Sequence, residues 1–207
     1  MGLTLPKPPG RGPEIIQTAL SGIIDRSVTT DEMALGGSER LDLSAPHKIF
    51  FVGLRDVAER RVLPAATQTG WRYIILRGDS PLAAAELGVD ATAGGGEGDD
   101  DGLEFSQFNR GPYVINTVAG VELAASLDAV RNDDYELRLL KIPALYIIAL
   151  WLHAEADGKD IIIPLPPTRP ELKPFDSYTE QQFASIIHDA ALRKQDFEDN
   201  DTGEGRS

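Results

Sequence analysis

The sequence predicts an α+β protein, a mainly antiparallel sheet with helices packed on one face. Three observations carry the prediction. The stretch 135–167, YELRLLKIPALYIIALWLHAEADGKDIIIPLPP, is the longest concentration of apolar side chains and opens with period-two alternation. Short strand-like runs rich in aromatic and β-branched residues are joined by hairpin signals. Helical spacing appears in separate segments at the start, centre and end of the chain. With 207 residues, 42% of them hydrophobic, the chain is long enough to bury a core. The expected organisation is an extended Pro/Gly-rich arm over 1–12, a single domain over 13–194 and a disordered acidic tail over 195–207.

Pro13 suits the first position of a helix, and Ile15, Ile16, Ala19, Leu20, Ile23 and Ile24 repeat behind it on a narrow stripe. That stripe, with Ile16, Leu20 and Ile23 at its centre, either packs on its own domain or docks a protein partner. Residues 25–46 are polar and read as irregular. KIFFVGL (48–54) reads as a strand, and Asp56 as the cap of a short helix ending near Pro64. The runs 71–76 and 82–89 flank Arg77-Gly78-Asp79-Ser80 and form a predicted hairpin, which also accounts for the integrin-like tripeptide. Residues 91–102, ATAGGGEGDDDG, have no apolar side chain larger than alanine and are expected to form a flexible acidic loop.

Val114, Val118, Val121 and Ala125 set a central helix over 112–130. A strand over 135–142 follows. Residues 144–152 are apolar throughout, so periodicity does not separate a buried strand from a buried helix; the Asp157-Gly158 turn ahead of DIIIPL favours a hairpin. Proline density over 164–174 points to polyproline-like extension, and Ser177-x-x-Glu180 reads as a capping box opening a helix over 178–194.

The formal charge of −13 is concentrated: residues 97–104 carry −5 and the tail from Asp196 carries −4, leaving −4 elsewhere. No basic surplus exists to displace counterions from a phosphate backbone, so nucleic acid is not an expected partner. With no cysteine, thiol catalysis, disulfides and thiolate metal sites are excluded. No apolar run reaches 18 residues and the amino terminus lacks the apolar region of a signal peptide, so a cytoplasmic protein without membrane association is expected.

His47, His153 and His188 show no metal-ligand spacing, and no phosphate-binding or nucleophile motif is present, so no cofactor or metal is expected. His153, beside Glu155 and Asp157 at the end of the core stretch, is the candidate general base with an orienting carboxylate, in the manner of a small hydrolase. Pro164, Pro167 and Arg169 fit P-x-x-P-x-R, a register that docks into aromatic-lined grooves. The lack of a catalytic constellation makes a non-catalytic interaction or assembly module the first expectation, acting with a protein partner or a second copy, and the hydrolase the alternative.

Overall fold

In the computed structural model, the structure describes residues 2–26, 41–89, 102–154 and 159–203. Within them lie nine strands and five α-helices, the strands mostly antiparallel, so the α+β class holds. The chain divides into two compact units, one formed by Met1–Thr4, Ile49–Gln68 and Asn116–Ser207, the other by Leu5–Lys48 and Thr69–Ile115.

The first unit is built on the predicted core stretch. β6 (Asp134–Ile142) and β7 (Ile147–Ala154) pair antiparallel, with Tyr135 opposite Ala154 and Leu139 opposite Leu150, and a 3-10 turn at Pro143–Leu145 joins them. β8 (Ile161–Pro164) pairs antiparallel with β7, and the short β9 (Tyr178–Thr179) with β8. Residues 144–152 are therefore a turn and a strand, as the hairpin reading expects. The expected extended arm is corrected at its start: β1 (Gly2–Thr4) pairs parallel with β6, and Thr4 Oγ1 donates to the Tyr135 carbonyl at 3.0 Å.

Side chains alternate between the two faces of a strand, and here both faces are buried. Leu140, Ile142, Ile147, Ala149, Trp151 and Ile162 form one cluster with Val57 of α2 (Leu54–Ala58) and with Phe183, Ile187 and Ala191 of α5 (Glu180–Gly203). Leu137, Leu139, Leu150, Leu152 and Ile163 form another with Ala124 of α3 (Pro112–Ser126) and Val130 of α4 (Asp128–Asn132). Helices thus cover both faces, not one. The run of consecutive apolar residues in β7 is the physical sign of this, since a strand with one wet face alternates. Burying each Leu or Ile contributes about 1.5–3 kcal/mol.

The closing helix begins two residues later than its predicted capping box. Thr179 N donates to Gln182 Oε1 at 3.0 Å and Gln182 N to Thr179 Oγ1 at 3.3 Å, which makes Thr179-x-x-Gln182 the reciprocal cap. Glu180 is used elsewhere, accepting from Leu63 N at 3.1 Å. α5 continues to Gly203, past the predicted end near Lys194, so residues 195–203 are helical where a tail was expected.

In the second unit β3 (Thr67–Arg77) and β4 (Ser80–Val89) form the predicted hairpin, with Arg77 opposite Ser80 and Gly78 at φ 56° in the turn. β5 (Leu103–Asn109), which the sequence reading missed, pairs antiparallel with β4, and β2 (Leu41–Phe51) lies next to β3. β2 starts within the segment expected to be irregular. Its alternation of partly buried Leu41 and Leu43 around exposed Asp42 is short and is followed by Pro46, which weakens the strand signal. α1 (Gly12–Arg26) lays Ile16 and Leu20 against Trp71, Tyr73, Ile75 and Leu87. The predicted acidic loop, except Gly102, lies outside the described residues.

Candidate functional site

β7 places Trp151 and His153 on one face, two residues apart, and the pairing with β6 sets Arg138 opposite Trp151 and Glu136 opposite His153. Phe50 of β2 and Asp160, just before β8, complete the cluster. Asp160 organises it. Its Oδ2 accepts from Trp151 Nε1 at 2.8 Å, its Oδ1 accepts from Ala154 N at 2.9 Å, and His153 Nδ1 lies 3.1 Å from Oδ1 and 3.2 Å from Oδ2. The carboxylate is nearly buried and the imidazole is about one third exposed. In the tautomer whose Nδ1–H donates to Asp160, His153 Nε2 is the lone-pair nitrogen able to take a proton.

Arg138 is fixed from three sides. Its guanidinium carbon sits 4.9 Å from the Phe50 ring centre and 4.7 Å from that of Trp151, and its Nε donates to Glu136 Oε1 at 2.6 Å. The Phe50 and Trp151 rings meet edge to face at 4.8 Å. A planar cation packed against two touching rings, with a carboxylate at its edge, is a largely enclosed and charge-compensated cluster.

Among the described residues, the carboxylate in contact with His153 is Asp160. Glu155 and Asp157 lie outside the described residues, as does the predicted Asp157-Gly158 turn, and the carboxylate that orients the ring is Asp160. A two-residue turn at 157–158 sets Asp160 across from Glu155. The observed register, Leu152 opposite Ile161, extended by one pair sets it across from His153 instead. Among the described residues no Ser, Thr or Tyr hydroxyl bonds to His153, and no group of three His, Asp or Glu side chains has metal-binding geometry.

Ile16 and Leu20 are buried, the first fully, inside the cluster of the second unit, so the stripe predicted to dock or pack does the latter at these positions. Ile23 belongs to the same helix, and its side chain lies outside the described ones. Pro164 is buried at the end of β8, and its carbonyl accepts from Phe175 N at 2.9 Å; Pro167 is exposed; Arg169, half-buried, donates to Glu171 at 3.2 Å. The three do not present the continuous exposed polyproline face of a groove ligand. His47 is fully buried in β2 with Nδ1 2.7 Å from the Ala45 carbonyl, and His188 is half-buried on α5 rather than solvated.

Two further features were not legible in the sequence. A pocket of about 300 Å³ is lined by Arg60, Glu180, Gln181, Ala184 and Ser185, and holds none of the predicted site residues. Tyr146, at the end of the Pro143–Leu145 turn, is 85% exposed and has a left-handed backbone, φ 56° and ψ 36°. A bulky side chain is held there at a cost of about 1–2 kcal/mol. Compared with known protein families, curated proteins and solved structures, the chain matches none of them.

Proposed function

We propose that the chain is a non-catalytic protein-interaction or assembly module, a scaffold or accessory subunit of the cytoplasm that works with a protein partner or a second copy. The observation that carries this reading is Tyr146, a large aromatic side chain held almost entirely in water on a backbone conformation that tyrosine disfavours. Tyrosine is a preferred anchor of protein interfaces, because one rigid ring brings much contact area at little entropic cost. The His153 cluster supports the same reading from the other side: each oxygen of Asp160 accepts from structural donors that tie the end of β7 to the start of β8. The test is Tyr146→Asn. Asparagine tolerates the left-handed conformation, so the variant folds at least as stably as wild type while association measured by light scattering weakens. An unchanged mass at every concentration, together with an unchanged set of partners captured from its source cells, overturns the reading.

A second reading, a small hydrolase, rests on the Nδ1 contact between His153 and Asp160, the geometry by which a carboxylate orients a general base. It requires that His153→Ala and Asp160→Asn both abolish hydrolysis of activated esters by purified protein. Equal rates in wild type and both variants dispose of it.

A further inference from the structure

We propose that Arg72 anchors a small carboxylate-bearing ligand in the second unit, a site beyond the interaction reading and independent of it. The register of β3, β4 and β5 sets Arg72 opposite Glu86 and Glu86 opposite Gln107, a row of polar side chains across three strands. Trp71, Tyr73 and Ile75 alternate with Arg72 and face the apolar cluster, so the row occupies the other face of the strands. Exposure falls along the row: Gln107 is exposed, Glu86 is 4% exposed and Arg72 2%.

Among the described residues Glu86 is the carboxylate within ion-pair range of Arg72, and it does not hydrogen-bond to it. Glu86 Oε2 accepts from Gln107 Nε2 at 2.8 Å and Oε1 from Asn109 Nδ2 at 3.1 Å, whereas Arg72 Nε is 3.9 Å from Oε1, beyond hydrogen-bond reach. Arg72 Nε and Nη2 are buried and donate no hydrogen bond. Burial, the larger effect, pushes the guanidinium below its ordinary value, and the attraction of Glu86 opposes it.

The two unengaged nitrogens identify the ligand chemistry. Nε–H and one Nη2–H point the same way and form the side-on fork of a guanidinium, whose parallel bonds match the two oxygens of a carboxylate. The row runs inward from exposed Gln107 on the edge strand β5 through Glu86 to Arg72.

The test uses full-length protein labelled with 15N and observes arginine Nε resonances during titration with sodium acetate, propionate, benzoate or phosphate, against sodium chloride at matched ionic strength. One slowly exchanging Nε resonance is expected to shift saturably with a carboxylate and not with chloride. Arg72→Lys, which keeps the charge and removes the fork, is expected to lack that resonance and to bind roughly tenfold or more weakly by isothermal calorimetry. If Arg72→Lys does not fold, the wild-type titration decides, with Arg169→Lys and Arg138→Lys assigning the resonances of the other enclosed Nε groups. The proposal is overturned by no saturable shift with any carboxylate, by an equal response to chloride, by a response to phosphate alone, or by undiminished affinity in Arg72→Lys. None of these outcomes bears on Tyr146.

Discussion

Asp160 shows how one carboxylate closes a hairpin. It accepts from an indole and a backbone amide and lies within 3.2 Å of an imidazole nitrogen, and removing it leaves those groups facing a nearly buried site. Asp160→Ala is expected to lower stability by about 2–4 kcal/mol in denaturant titration, with Asp160→Asn losing less. Tyr135 makes a pH prediction. Burial first, then the charges of Asp133 and Asp160, push its phenol above the ordinary value. The folded pKa therefore exceeds the unfolded one, so its contribution to stability is complete below about pH 10 and is lost as pH rises through the folded value. Tyr135→Phe is expected to flatten the alkaline limb of the stability profile; an identical limb rejects the assignment. His153 was legible from its place at the end of the core stretch. Asp160 was not, because the candidate turn at 157–158 points to a register two residues away from the observed one.

At the scale of elements, period and turn chemistry located the β3–β4 hairpin, β6, β7, β8 and α3. β5 escaped because Leu103, Phe105 and Phe108 do not alternate strictly, and its pairing with β4 carries an irregularity beside Leu87 that absorbs the mismatch. β1 escaped because three residues are too few for a period, and its identity comes from parallel pairing with Asp134–Glu136 at the start of β6. The capping box slid by two residues because Ser177 and Thr179 both precede an acceptor at the right spacing, and Leu63 N draws Glu180 away. Close approach also has a test. A Cβ at Gly70 runs into the Leu87 carbonyl oxygen of the neighbouring strand, so Gly70→Ala is expected to cost about 1–3 kcal/mol, read as a lower denaturation midpoint. A neutral result contradicts the β3–β4 register.

For the whole molecule, the fold class was readable and the layering was not. Apolar content on both faces of β7 signals two-sided burial, but only the contacts reveal which helices supply the covers. The acidic charge also separates two kinds of association. Two copies each carrying −13 repel, so self-association is expected to strengthen between about 0.05 and 0.5 M salt as screening shortens the repulsion, whereas binding to a basic partner weakens over the same range. We propose that Tyr146 is held out for a partner, and light scattering of wild type and Tyr146→Asn across a concentration series, with thermal unfolding in parallel, tests this. Weaker association together with unchanged or higher stability is expected in the variant. Lower stability with unchanged association contradicts it.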